Sequence, residues 1–580
     1  MYKFGENKIL EHIWSEDSKE MFAQLYFQLL RSNNTEVLEI QYRTLLKKKD
    51  KNLMNYLYKL IAQTRDIIKG KGEYNLSYML LGEWLLLGDE YIPDIYKVLD
   101  LFVDIENEHP YGSWKDLKYF CHYICKQKSY VNKNHEIIDY CCEKIANQLF
   151  IDNNSDNPTL CAKWAPREKS KFGWITPIIS KKLVYKFKMD NLSKNESIRI
   201  YRQTCSNINK RLDTTQIKQC GEEWATIDFN NVTSITMRKQ SNAFLYFPEN
   251  STNDYKNIDR QICADNYKNY IESKVKYNKT IKGSRVSIYD FVKDALNIND
   301  LCKEETNSFK QLLDLQWNDN RKQNNNLGNF AVMVDVSSSM ETNKCIPLYN
   351  AIGLGIRISE LSEKFKNEIL TFASNPSIVK LDDCDSFVDK VHKVRRMEWG
   401  GSTNLESALE LILEKLGIQE TPSEEVEDMV LCVLSDMQIY ESIDLDISTM
   451  FDLVKTKYEN KGYQLPTIVF WNLRQTDGFP STTKEKNVIM VSGYNSVLLN
   501  EFSEKGIEAF SNITPFKMVK NILDNPRYDL MYFNHFEKLN EKNKVTKSNN
   551  YYVLQILLFL SAAIFINYFL NITYNIDNIN

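Results

Sequence analysis

The sequence predicts an α/β domain with a doubly wound, mostly parallel sheet, preceded by an all-α, helical-repeat-like domain and followed by a C-terminal transmembrane helix. Three observations carry this expectation. Apolar residues recur every three to four positions from Ser18 to about Phe150, short apolar runs alternate with amphipathic stretches beyond residue 329, and Tyr551–Leu570 is a run without charge.

In the N-terminal part, Leu53, Leu57, Leu60, Ile61 and Ile68 line one helical face, as do positions in Tyr78–Leu87 and Ile95–Val103. Polar breaks at Lys69–Glu73 (KGKGE) and His109–Ser113 (HPYGS) separate the segments. No clean repeat period emerges, so the spacing predicts stacked helical hairpins over 1–150 and a continuation over 151–325, with helices at Glu196–Leu212 and Thr214–Trp224. Asn318–Asn329 (NDNRKQNNNLGN) reads as a polar linker opening the next domain, 326–510. There, strand-length runs occur at Phe330–Val336, Ile369–Phe372, Met429–Leu434, Thr467–Trp471 and Val488–Val491. Helical stretches Ile346–Leu361, Leu405–Leu416 and Met450–Tyr458 lie between them, which favours a parallel sheet covered on both faces.

A juxtamembrane segment, 511–550, precedes the uncharged run. Twenty residues at 1.5 Å each span the roughly 30 Å hydrocarbon core. Lys542, Lys544 and Lys547 lie before the run and only Asp577 is charged after it, so the expectation is a single-pass C-terminal anchor with the bulk of the chain facing the cytoplasm. The membrane would be that of a host or virion if the protein is viral.

Of 580 residues, 43% are apolar and 26% charged, and the net charge is only −4, so no global field marks a nucleic-acid binder. Twelve cysteines lack the tight spacing of a disulfide framework, and no apolar signal peptide opens the chain. Cys121, His122, Cys125, His135, Cys141 and Cys142 form a cluster of potential zinc ligands. Cys121 and Cys125 sit one helical turn apart in a Tyr- and Phe-rich stretch, which favours buried free thiols.

The chemistry-bearing residues lie at strand ends, where ligands bind in such sheets. Asp335-Val336-Ser337-Ser338-Ser339-Met340 follows the first strand and can aim three oxygens at one point. Thr403 follows Gly400-Gly401-Ser402, and Asp436 ends the strand Met429–Leu434. Helix capping would account for Ser339 or Thr403 but not for two carboxylates at separate strand ends. Oxygen ligation with few carboxylates suits a hard cation that retains water, Mg²⁺ first and Mn²⁺ or Ca²⁺ next.

DVSSSM, GGST and LSD, in that order and setting, resemble the metal-ion-dependent adhesion site of von Willebrand A domains over residues 328–495. The resemblance implies direct ligation by Ser337, Ser339 and often Thr403, with Asp335 and Asp436 acting mainly through water, and an acidic group of a partner protein completing the shell. TRDIIKGKGEYN (64–75), PYGSWKDL (110–117), CAKWAPRE (161–168) and EEWATIDFNNVTS (222–234) resemble an uncharacterised family joining a helical domain to a von Willebrand A domain, known from plants and large DNA viruses. That layout is similar to the Ro/TROVE RNA-binding proteins.

Two functions follow as expectations. The first is a membrane-anchored, non-catalytic interaction scaffold that docks an acidic partner through Mg²⁺. The second is RNA binding by the helical domain. Its candidate residues are Lys163, Arg167, Lys169 and Lys171 in Cys161–Lys188, where eight Lys or Arg interleave with Trp164, Phe172, Trp174, Tyr185 and Phe187. The plainer view of that stretch is a strand-rich segment with buried aromatics. An enzyme is disfavoured. Ser337 stands where aspartyl phosphatases need a second acid, and the chain has no Gly-x-Ser-x-Gly elbow, Walker loop or HExxH.

Overall fold

The computed structural model describes residues 2–4, 10–32, 34–104, 106, 111–128, 131–189, 191–246, 257–298, 303–372, 376–396, 405–438, 450–503 and 513–533. Among the described residues a short β-hairpin opens the chain, helices predominate from Ser18 to Arg321, and a six-stranded mixed sheet follows. The strands in chain order are β1 (Tyr2–Phe4), β2 (Leu10–His12), β3 (Phe330–Asp335), β4 (Glu368–Phe372), β5 (Ser377–Lys380), β6 (Val430–Ser435), β7 (Thr467–Asn472) and β8 (Val488–Ser492). β1 and β2 form a separate antiparallel hairpin. The main sheet has the order β5-β4-β3-β6-β7-β8, all parallel except β5, which returns antiparallel along β4.

Side chains alternate across a strand, and here both faces are covered, so the runs Phe330–Val334, Val430–Leu434, Ile468–Trp471 and Val488–Val491 are apolar at every position. Val332, Val334, Cys432, Leu434, Val469 and Trp471 face one core, which also takes in the helix Thr342–Leu361 and the N-terminal helices. Met333, Leu431, Val433, Ile468 and Phe470 face the other, with Leu409, Ile412, Leu416 and Tyr458 from the helices Leu405–Ile418 and Met450–Asn460. Two glycines let Thr342–Leu361 fit between its neighbours. A Cβ on Gly355 would stand 2.5 Å from Val334 Cγ2 of β3, and one on Gly353 would strike Ile288 of the helix Ile288–Asn297. Gly353→Ala and Gly355→Ala should each cost about 1–3 kcal/mol by overpacking, read as a lower urea midpoint.

The helical region and the sheet share one apolar cluster that runs from Met21 to Phe533. Polar bonds fix their register. Asn472 Nδ2 donates to Phe27 O at 3.1 Å, and Gln28 Nε2 donates to Gly478 O at 2.9 Å. The buried Lys71 ammonium donates to Tyr26 O at 2.8 Å, to Leu29 O at 3.1 Å and to Ser492 Oγ of β8 at 2.6 Å. Burial holds its pKa well below the ordinary lysine value.

Three expectations are corrected here. Among the described residues no helix is long and apolar enough to cross a membrane. The long helices Ile258–Lys276 and Lys303–Arg321 carry charges along their length. The run 551–570 lies outside the described residues, and the single-pass anchor, its orientation and the membrane as partner are not carried further. The stretch 161–188 is helical rather than strand-rich, with helices Cys161–Trp164 and Thr176–Lys186. Asn318–Asn329 begins as the last turn of Lys303–Arg321 and is then tied down, since Asn324 Nδ2 donates to Ser496 O at 2.8 Å.

Candidate functional site

Asp335 is the last residue of β3, and Asp436 directly follows β6, its neighbour in the sheet. Parallel pairing therefore delivers both carboxylates to the same edge. Each is fully buried. Asp335 Oδ1 accepts the backbone N–H of Ser337 at 2.9 Å, and its Oδ2 accepts the Ser435 hydroxyl at 2.6 Å. Asp436 Oδ1 accepts the backbone N–H of Gln438 at 3.0 Å, and its Oδ2 accepts Arg474 Nε at 2.8 Å. The Ser339 side chain also bonds Asp436, and Ser337 Oγ lies 3.0 Å from Ser339 Oγ. Four of the five residues singled out in the sequence thus meet at one point. The fifth, Thr403, lies outside the described residues.

The electrostatics of the pair are strained by burial. Desolvation, with the Asp436 charge second, pushes the Asp335 carboxyl up to about 7. Desolvation also raises Asp436, with the Arg474 guanidinium opposing it. Among the described residues two buried carboxylates share one guanidinium, that of Arg474, which leaves one negative charge in excess there once both acids ionise. The hydroxyls of Ser337 and Ser339 add two hard oxygen atoms beside the carboxylates.

Among the described residues no group of three or more His, Cys, Asp or Glu is gathered as a metal centre made of charged ligands requires. This corrects the sequence-based label of a metal-binding protein in that self-sufficient sense. The same finding removes zinc from the cysteine cluster: Cys121, Cys141 and Cys142 are buried free thiols and Cys125 is half-buried.

Sequence reasoning missed Arg474, Ser435 and Gln438. Ser435 and Gln438 flank Asp436 in the same segment, and Arg474 lies just beyond the end of β7, so the rule that chemistry sits at strand ends covered all three. The four basic candidates of the helical domain are not brought together. Lys163 is half-buried on its short helix, Arg167 and Lys169 line a cavity of about 410 Å³ with Arg202, and Lys171 lines another of about 510 Å³.

Residues 329–547 match a family model described as "Domain of unknown function (DUF7788)", which spans the whole carboxylate pocket. "Uncharacterized protein L728" of Acanthamoeba polyphaga mimivirus is 27% identical over 499 residues, covering 82% of this chain and 80% of that protein. The chain resembles an uncharacterised family with viral relatives. The likeness to the mimivirus protein covers more of the chain than the sheet region alone, so helices and sheet are matched together in one protein, as their shared core would require.

Proposed function

We propose that the protein is a non-catalytic interaction scaffold whose pocket at Asp335 and Asp436 takes Mg²⁺ and docks an acidic group of a partner protein. The carrying observation is the buried, under-compensated carboxylate pair flanked by the Ser337 and Ser339 hydroxyls. Asp335, Ser337, Ser339 and Asp436 would hold the ion, with Thr403 as a further donor on the sequence motif alone. So few protein charges leave part of the shell to water, and a partner carboxylate replacing that water would bridge the two proteins through the metal. The likeness of DVSSSM and LSD to the adhesion site of von Willebrand A domains supports this reading.

The test uses the full chain, since helices and sheet share a core. Isothermal titration should show Mg²⁺ or Mn²⁺ binding that Asp335→Ala abolishes and that Ser337→Ala and Ser339→Ala weaken strongly. An acidic peptide should then be retained with Mg²⁺ and released by EDTA. Equal metal affinity in wild type and a folded Asp335→Ala variant would sink the proposal.

A further inference from the structure

The Asn-rich segment that the sequence offered as a linker lines the largest of the cavities described above and below. It sits between the helices Ile258–Lys276 and Lys303–Arg321 and has a volume of about 700 Å³. Four cations line it, Lys274, Lys279, Arg321 and Lys322, and no carboxylate does; the remaining polar lining is amides and the Thr280 hydroxyl. Asp319 is the nearby acid that must be counted against them. It pairs with Lys322 Nζ at 3.9 Å while accepting Thr280 Oγ1 at 3.0 Å and the backbone N–H of Gly283 at 2.8 Å, and Lys322 Nζ itself donates to Thr280 Oγ1 at 2.6 Å, so the acid offsets one of the four cations. Among the described residues Lys274 donates to the neutral Asn230 side chain at 3.1 Å and lies over the Tyr270 ring, and Arg321 Nη2 donates to the carbonyl of Glu360 at 3.1 Å. Among the described residues the Lys279 ammonium has no ion-pair partner. The positive charge of this wall is therefore largely unmatched.

A second feature is independent of the charge. Asn324 is 8% exposed, and both bonds of its Nδ2 go to acceptors, Ser496 O at 2.8 Å and Asn500 Oδ1 at 3.3 Å. Those acceptors fix which way the amide points. Its Oδ1 is left buried without a partner among the described residues, at a residue that lines the cavity. A buried bare acceptor costs free energy until a donor meets it.

We propose that this cavity binds a small, hydroxyl-bearing oligophosphate of the nucleotide or sugar-phosphate class. Its phosphates would lie among Lys279, Lys322, Lys274 and Arg321, and a hydroxyl would donate to Asn324 Oδ1. Charge-assisted bonds to phosphate oxygens are among the strong ones, and the cavity lies within the ordinary size range of small-ligand sites. The segment's composition then has a purpose that a spacer would not need: amides and cations, anchored by Asn324 and Asn500, with no acid facing the cavity.

Isothermal titration of the full chain with ADP and with pyrophosphate tests this. Both should bind, ADP more tightly because it also carries hydroxyls. Lys279→Gln combined with Lys322→Gln should weaken both by roughly tenfold or more, the loss of one to two charge-assisted bonds. Both lysines are exposed, so the variant should keep its fold, checked by circular dichroism. No binding of either probe at millimolar concentration, or unchanged binding in the folded double variant, overturns the proposal. A single-stranded oligonucleotide that binds where ADP and pyrophosphate do not would also overturn it, assigning the cations to a nucleic-acid backbone instead.

Discussion

Asp116→Ala is expected to cost about 3–5 kcal/mol, seen as a large fall in the urea midpoint of the helical region. The Asp116 carboxylate is fully buried and accepts Arg65 Nε and Nη2, each at 2.7 Å, together with the Tyr78 hydroxyl and the backbone N–H of Ser113 at 2.6 Å. Removing it strands the buried Arg65 guanidinium without its bidentate partner, which costs more than the pair itself contributes. Burial alone would raise the Asp116 pKa, but Arg65 and Tyr78 more than offset it and hold it below the ordinary carboxylate value of 3.8. With a depressed folded-state pKa, this stabilisation is present above about pH 4 and is lost as pH falls further. An unchanged midpoint in Asp116→Ala at neutral pH would show that the pair is not what holds these helices.

The Asp335 pocket should show the opposite pH dependence. Its folded-state pKa of about 7 lies above the unfolded value, so without divalent cations the protein should lose stability, on the order of a few kcal/mol, as pH rises from about 4 through about 7. Mg²⁺ needs the ionised carboxylate, so it should restore most of that loss at pH 8 and do little at pH 5. At a hundredfold excess over Kd the restoration is about 2.7 kcal/mol. Asp335→Asn removes the buried charge while keeping the shape. It should flatten the pH slope to the part that other raised acids such as Asp436 and Asp314 contribute, raise stability at pH 8 in EDTA and lose the response to Mg²⁺. Melting curves at pH 5 and 8, with Mg²⁺ and with EDTA, check all three, and a Mg²⁺ response that persists in Asp335→Asn would count against the pocket.

Two of the short segments quoted from the helical part prove to be its polar joints. In TRDIIKGKGEYN, Arg65 holds Asp116, Asp66 holds Arg527 at 2.9 Å through Oδ1, Lys71 reaches Ser492, and Glu73 pairs with Arg31 at 2.8 Å. Asp116 itself lies in PYGSWKDL. The unusual composition of these segments was visible in the sequence. Their partners lie as far as 461 residues away, and one-dimensional spacing carries no information about which distant element will pack alongside.

Five of the sheet's strands and the edge that carries its chemistry were legible because a strand covered on both faces must be apolar at every position, and an Asp or Ser breaking such a run marks where it ends. β5, Ser377–Lys380, was not, since an edge strand of four residues has only one neighbour and little burial to pattern it. Asp335, Ser337, Ser339 and Asp436 could be named from the motif, but that Arg474 reaches back to Asp436 was decided by the folded sheet, which sets β7 beside β6. The Asn-rich segment shows the same division. Its polarity was plain and suggested a linker, whereas its role as a cavity wall depends on Ser496 and Asn500 arriving beside Asn324. That is because burial of a polar side chain is favourable only where the tertiary fold supplies its partners.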